Sequence, residues 1–350
     1  MLSTKGYAAM SAGAVLQPFT FTRRMVGPHD ILIKIRYCGI CHSDIHQVKD
    51  EWGGSIYPMV PGHEIVGTVI QVGSDVTKFH EGETVGVGCF VDSCRTCASC
   101  TQGLEQYCEE GMTLTYNGHD KNGDPTYGGY SSQIVVDEQY GLKIPQALSL
   151  EGVAPLLCAG ITTYSPLRQW GIGKGHKLAV VGLGGLGHMA VKLGYALGAD
   201  VTVFSQSEKK RDDAKRLGAI DYAATAQEGA FARFSRTFDF IIDTISAPHD
   251  YNAYLDLLKT DGTLILVGVP DQPISIEAFS LILRRRRVVG SLIGGIQETQ
   301  EMLDFCGEQG IVSDVEVIQL SQINEAYDRI IRGDVRFRFV IDLEASNGCF

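Results

Sequence analysis

Cys94, Cys97, Cys100 and Cys108 stand in the run DSCRTCASCTQGLEQYC with two, two and seven residues between successive cysteines. Thiols so close along a chain suit a shared metal far better than disulfide bridges, and this spacing is that of a four-thiolate zinc site. The segment is therefore expected to be an irregular lobe held by metal rather than by strand or helix hydrogen bonds. Four thiolates fill the tetrahedral shell, so this zinc is expected to hold the loop in shape and leave no position open for water or substrate.

Such a module also occurs in nucleic-acid-binding ribbons, and here charge decides. The 350 residues carry a net charge of -11, which argues against a nucleic-acid partner because phosphate must be met by a basic face. The basic run Arg284 to Arg287 reads as a solvated helix end. With 44% hydrophobic and 20% charged residues the chain looks like an ordinary globular protein of roughly two domains. The start MLSTKGYAAMSAG lacks a charged segment followed by a long apolar one, so no signal peptide is expected. No apolar run reaches the ~20 residues of a membrane span. The expectation is a cytoplasmic protein whose ten cysteines stay as thiols or metal ligands.

The pattern changes near residue 150. Before it, short strand-like runs broken by Gly and Pro (DILIKIRYCGI, HEIVGTVIQVG, YSSQIVVDEQYGLKIP) predict an irregular, barrel-like β domain. After it, KLAVVG, VTVF, FDFIIDT and TLILVGV alternate with helical stretches, which predicts an α/β unit with a doubly wound parallel sheet. The helical segments ETQEMLDFCGEQG and NEAYDRIIRG and the final strand FRFVIDL return to the first domain. The expected division is 1–153 with 297–350, and 154–296.

In VVGLGGLGHMA, Gly182, Gly184 and Gly187 fit G-x-G-x-x-G between an apolar strand and a helix start. There the first glycine makes the tight turn, the second admits a pyrophosphate, and the helix N-terminus offers unpaired N–H groups. The strand VTVF then runs into Ser205, Gln206, Ser207, Glu208, Lys209, Lys210 and Arg211. An NAD site usually sets a carboxylate at that strand end, whereas two hydroxyls and a basic cluster can hold a 2′-phosphate, so NADP is favoured. Glu208 lies in the same loop as a competing ribose ligand, and the basic run also reads as a solvated first helical turn.

A second, open metal site can be assembled from distant residues. Cys41 in CGICHSDIHQ, His63 in VPGHEIVG and Cys158 in LLCAGITTY supply the two thiolates and one imidazole that a catalytic zinc uses while keeping one position free. Asp44 is suited to orient His63 from outside the metal shell.

CGICHSD, PGHEIVG, the Cys94–Cys108 lobe, CAGITTY, GLGGLG and DVRFRFVID occur in the order found in zinc-dependent medium-chain alcohol dehydrogenases, and almost the whole chain resembles their cinnamyl alcohol dehydrogenase branch. The resemblance implies a GroES-like irregular β-barrel catalytic domain and a Rossmann doubly wound parallel sheet. It implies two Zn2+ per chain: a catalytic one on Cys41, His63 and Cys158, with Glu64 as an occasional alternative ligand, and a structural one on Cys94, Cys97, Cys100 and Cys108. Ser43 would hydrogen-bond the substrate oxygen at the open position, and His46 would pass its proton to solvent. His42 reads equally as a pyrophosphate neighbour or a packed neutral ring. NADP(H) would meet Thr162, Gly182, Leu183, Gly184, Gly185, Leu186, Gly187, Ser205, Gln206, Ser207, Lys209, Lys210, Thr244, Gly268, Ser291, Leu292 and Ile293. A homodimer through the edge strands near TLILVGV and VVGSLIG is implied as well.

Substrate choice is less legible. Trp52, Tyr57 and the stretch GMTLTY are candidate lining residues, and an apolar aromatic wall suits a hydrophobic aldehyde. Lignin-forming plant members place a tryptophan shortly after the last structural cysteine; this chain has Met112, Thr113, Leu114 and Thr115 there. The expected activity is a broad alcohol dehydrogenase or aldehyde reductase moving hydride between NADPH and aromatic or medium-chain aldehydes, with an NAD-dependent polyol dehydrogenase as the alternative. Cys38, Cys89, Cys306 and Cys349 have no assigned role.

Overall fold

The computed structural model describes residues 1–270 and 272–346, so Cys349 lies outside the described residues. The chain divides into two compact units, Met1–Ile161 with Gly294–Phe350, and Thr162–Ile293.

The first unit is built on a seven-stranded sheet. Its spine is the long strand Asp30–Ile40, which pairs antiparallel with Ile65–Val72, with Gln133–Asp137 and with Arg338–Asp342. The strand's alternation puts Ile31, Ile33 and Ile35 in the core at 2% exposure or less while Lys34 faces solvent. Arg338–Asp342 also takes Val315–Gln319 as a parallel neighbour. The register Phe339↔Ile40 and Ile341↔Cys38 sets the start of that last strand beside the end of the spine. Just past the spine, Cys41 is the extended N-cap of the helix His42–Lys49, and Asp44 closes a capping box by accepting the Cys41 N–H at 2.9 Å. A hairpin of Leu2–Ala8 and Gln17–Arg23 forms a separate two-stranded sheet.

The second unit is a six-stranded, all-parallel sheet in the order Asp221–Ala224, Asp200–Ser205, Lys177–Val181, Phe238–Asp243, Leu258–Leu266, Arg287–Gly290. Parallel strands covered on both faces read as continuous apolar runs, and Leu178, Ala179, Val180 and Val181 are all fully buried. Strand order reverses between Lys177–Val181 and Phe238–Asp243, the topological switch point where open α/β sheets bind ligands.

One expectation is corrected. Within Arg284 to Arg287, Arg286 is 8% exposed, and its guanidinium donates to the carbonyls of Leu258 and Ser280 and pairs with Asp256 at 3.0 Å. It is a buried cross-link and not a solvated helix end. Among the described residues no helix is long and apolar enough to cross a membrane.

Candidate active site

The first unit brings Cys41, His63, Glu64 and Cys158 together, with one ligand atom from each all within 4.8 Å of one another and all four residues buried. Each comes from a different local device. Cys41 caps the helix His42–Lys49, His63 and Glu64 lead into the strand Ile65–Val72, and Cys158 ends a short turn, Ala154–Leu157, ahead of the helix Ala159–Gln169. The Cys41 and Cys158 sulfurs are 3.9 Å apart. Two thiolates at about 2.3 Å from one tetrahedral zinc are separated by roughly 3.8 Å, so the pair fits that ion.

Asp44, fully buried, organises the group. One oxygen accepts the Gly62 N–H at 3.2 Å and faces His63 Nδ1 at 3.0 Å, and the other accepts the Tyr130 hydroxyl at 2.9 Å. A donor at Nδ1 leaves the His63 Nε2 lone pair for a metal. Burial opposes an imidazolium at His63, but Asp44 and then Cys89 and Cys41 outweigh it and push its pKa well up. The hydrogen bond from Cys158 holds the Cys41 thiol well below its ordinary value against the pull of burial, with Arg338 adding to the effect. The same bond pushes Cys158 up.

Glu64 is fully buried, and burial raises its carboxyl to about 7 although Arg338 pulls the other way. Arg338 Nη1 is 3.3 Å from Glu64 Oε1, yet among the described residues neither carboxylate oxygen has a hydrogen-bond partner. Such an acid, beside two thiols and an imidazole, is a donor set awaiting a cation.

Ser43 Oγ is 3.3 Å from Cys41 Sγ. His46 pairs through Nδ1 with Glu51, and its ring stacks between His42, at 4.7 Å between centroids, and Trp52, at 4.8 Å. Trp52 is 43% exposed. Tyr57 spends its hydroxyl on the Val48 carbonyl at 2.8 Å, so its ring seats the end of the helix His42–Lys49. Arg338 and Cys89 were missed by sequence reasoning. Arg338 lies inside the quoted DVRFRFVID, where a charged residue in an apolar strand is the available signal. Cys89 Sγ donates to the Leu157 carbonyl at 3.8 Å, one residue before Cys158, and helps push the Cys158 thiol up. Gly39 is a further constraint, since a Cβ there would collide with the Glu64 carboxylate.

In the lobe, Cys94, Cys97, Cys100 and Cys108 also lie within 4.8 Å of one another, and the Cys94 and Cys100 sulfurs are 3.9 Å apart. Backbone N–H groups of Cys94, Cys97, Cys100 and Glu109 donate to these sulfurs at 3.3–3.5 Å. Hydrogen bonds from Thr96 and Cys97 lower Cys94 to about 6, whereas burial pushes Cys100 up to about 12. The donor set suits a closed structural zinc.

In the second unit, Gly182 has φ 89°, a left-handed turn only glycine takes without strain. The helix Gly187–Ala196 follows at once. Thr244 Oγ1 donates to the Val181 carbonyl at 2.8 Å, Ser291 N–H to the Leu266 carbonyl at 3.1 Å, and Lys210 Nζ to the Leu183 carbonyl at 2.7 Å. Ser205 ends its strand, with Gln206, Ser207 and Lys209 exposed beyond it. Glu208 is taken by Arg211 at 2.5 and 2.8 Å and by Gln227 at 3.2 Å. Thr162 and Ile293 are buried and Leu292 is half exposed.

Residues 27–146 match the alcohol dehydrogenase GroES-like domain and residues 185–308 the zinc-binding dehydrogenase domain. The chain is 57% identical to NADP-dependent alcohol dehydrogenase C of Mycobacterium tuberculosis over 99% of its own length and 100% of that protein's. It is 56% identical to aldehyde reductase YahK of Escherichia coli, covering 97% and 98% of the two chains. A structure of a cinnamyl alcohol dehydrogenase (CAD) from Helicobacter pylori, complexed with NADP(H), superposes with a TM-score of 0.93 at 45% identity over 99% of each chain. With two cysteine-rich donor sets, a glycine loop at a sheet's switch point and likeness along nearly its full length, the chain belongs to the zinc-binding medium-chain alcohol dehydrogenase family.

Proposed function

We propose that the chain is an NADP(H)-dependent zinc alcohol dehydrogenase working as an aldehyde reductase on aromatic, cinnamaldehyde- or benzaldehyde-like, or medium-chain aldehydes. The observation that carries the reading is the buried Cys41, His63, Cys158 set with Glu64 beside it, which offers three strong ligands and keeps a further position for substrate. The names of the relatives, an NADP-dependent alcohol dehydrogenase and an aldehyde reductase, support the cofactor and the substrate class. So does the state of Glu208: a carboxylate already held by Arg211 and Gln227 is a poor ribose ligand, which counts against the NAD-dependent polyol alternative. The Thr162–Ile293 unit would carry the cofactor and the other unit both zincs.

Bound zinc supplies Lewis acidity toward the substrate oxygen and bound NADPH supplies the hydride. The chain's own contribution is placement and proton handling. Asp44 fixes the His63 ring and, by accepting the Cys41 and Gly62 N–H groups, ties the two ligand-bearing segments to one carboxylate. Ser43 would hydrogen-bond the substrate hydroxyl. His46 Nε2 is buried with no hydrogen-bond partner among the described residues while Nδ1 pairs with exposed Glu51, which supports a relay between solvent on the Glu51 side and Ser43 that delivers a proton to the substrate oxygen in reduction. Trp52, stacked on His46, would present an aromatic surface to the substrate.

A homodimer is supported by the outermost strand, Arg287–Gly290, and by nearby exposed Phe279, Ile282 and Leu283. The nine described cysteines are unbridged, which supports a reducing, cytoplasmic setting. The test is kcat/KM for cinnamaldehyde and benzaldehyde with NADPH and with NADH on one zinc-replete preparation. An NADPH preference of at least tenfold, worth about 1.4 kcal/mol, is expected. A preference for NADH, or turnover confined to polyols, overturns the reading.

A further inference from the structure

The second unit holds a charge pair that the proposed reaction does not use. Asp243 closes the strand Phe238–Asp243 at the carboxyl edge of the switch point and is 2% exposed. Its Oδ1 accepts the Ile245 N–H at 3.0 Å, and its Oδ2 lies 2.9 Å from His249 Nε2. The other ring nitrogen, His249 Nδ1, lies 2.9 Å from the Ala247 carbonyl oxygen. A carbonyl and a carboxylate both accept, so a ring carrying two N–H groups, an imidazolium, satisfies the two contacts at once.

The titratable groups facing this ring are Asp243, Asp250, and Tyr251 and Tyr254, whose rings lie 4.2 and 5.6 Å away. Asp250 adds negative charge while capping the helix Tyr251–Leu255, and burial keeps both tyrosines neutral by raising them. Burial opposes the His249 cation, but Asp243 and the Ala247 carbonyl outweigh it, and its pKa stands above the ordinary 6.5.

What the pair clasps is the segment from Thr244 to Ala247. A Cβ at Gly182 would meet Thr244 Oγ1 at 2.9 Å and Ile245 Cγ1 at 3.0 Å, and a Cβ at Gly268 would run into the Ile245 carbonyl. Ile245 is thus lodged between the first glycine of the phosphate loop and the turn after the strand Leu258–Leu266. A shift of this segment would move the wall of the turn that receives the dinucleotide.

We propose that His249 is a positioning residue for the cofactor: as an imidazolium held between Asp243 and the Ala247 carbonyl, it locks the 244–249 segment against Gly182 and Gly268, and dinucleotide affinity falls when the ring loses its proton. This rests on the reading of GLGGLG as the NADP(H) site. The sign follows from the raised pKa: the clasp is complete below the ordinary histidine value, about 6.5, and is lost as pH rises through the higher clasped value.

The experiment measures the NADPH Kd on the full zinc-replete chain from pH 6 to pH 9, without substrate, for wild type, His249→Gln and His249→Phe. Both variants are expected to bind about tenfold more weakly at pH 6, a coupling of ordinary size, and within about twofold of wild type at pH 9, where the wild-type ring is neutral too. A variant-to-wild-type ratio that stays constant over the range, or equals one at pH 6, overturns the proposal. If wild type binds NADH and not NADPH, the NADP reading is what fails, and the same ratio taken with NADH still decides on His249. Titration of wild type with 13C-labelled imidazole rings needs no variant: the His249 ring is expected to titrate above the ordinary histidine value and to move higher on adding NADPH. A value at or below about 6.5 overturns the proposal.

Discussion

Arg338 Nη1 lies 3.3 Å from Glu64 Oε1 in surroundings that leave the two residues 5% and 0% exposed. The same guanidinium donates to the Ile40 carbonyl at 3.0 Å, next to the proposed zinc ligand Cys41. Removing the cation deprives the buried Glu64 carboxyl of its guanidinium partner beside two sulfurs. Arg338→Ala is therefore expected to cost about 3–5 kcal/mol of stability in denaturant titrations of the zinc-replete protein. Adding Glu64→Gln, which neutralises the stranded acid, should recover a good part of it. A loss below about 1 kcal/mol for the single variant would show the pair to be idle.

The glycines of the second unit separate folding from binding. A Cβ at Gly187 would strike the Gly182 carbonyl, whereas one at Gly184 would meet nothing within 4 Å. Gly187→Ala should lower Tm and cofactor affinity together, because the backbone of the turn must move. Gly184→Ala should leave Tm within about 2 °C of wild type, as a change that touches nothing does, while weakening NADPH by tenfold or more, since the added methyl stands where the pyrophosphate must approach the backbone. Unchanged NADPH affinity in Gly184→Ala would remove this glycine from the cofactor site.

Much of this was legible in the chain for a physical reason. Cys94, Cys97, Cys100 and Cys108 share one loop, so spacing alone brings their sulfurs together. The parallel strands are buried on both faces, so runs such as LAVV announce themselves. Cys41 and Cys158 stand 117 positions apart, so no local spacing pairs them; their residue types suggest the set and the family resemblance implies it. Arg338 offers only the signal of a charge in an apolar strand, and Cys89 none; Arg338 reaches Glu64 through the Phe339↔Ile40 register, which is a long-range property of the sheet. Arg286 misled because a run of like charges usually means a solvated face, whereas its place depends on carbonyls 28 residues upstream.

Below the zinc lobe, Asp92 reports on acid stability. It pairs with Lys121 at 2.7 Å and Arg95 at 2.8 Å, and its side chain is 18% exposed. Burial works against its ionisation, but Lys121 and Arg95 outweigh it and hold the carboxyl below its ordinary 3.8. Its contribution is thus present above pH 3.8 and lost as pH falls through the lower folded-state value. Asp92→Asn should cost about 1 kcal/mol at pH 7, given the exposed Lys121 partner, and nothing near pH 2. Chemical denaturation of both proteins at several pH values measures the difference, and a gap that survives at pH 2 would assign the effect to packing.

Cofactor choice turns on one strand end. Ser205 closes the strand Asp200–Ser205, and the nearest acid in the loop beyond it, Glu208, is held by Arg211, whose guanidinium also lies over the Tyr222 ring at 4.8 Å. A carboxylate introduced at the strand end would accept ribose hydroxyls and repel a 2′-phosphate. Ser205→Asp is therefore expected to raise the NADPH KM at least tenfold while lowering that for NADH, with kcat for either cofactor within about threefold of wild type, since uniform binding is what changes. Glu208→Gln serves as the contrast. If Glu208 were a ribose ligand, its loss would weaken NADH selectively; engaged as it is with Arg211, its loss should free that guanidinium and leave the NADPH preference intact or stronger. A selective loss of NADH turnover in Glu208→Gln would return the ribose contact to Glu208 and reverse the cofactor assignment.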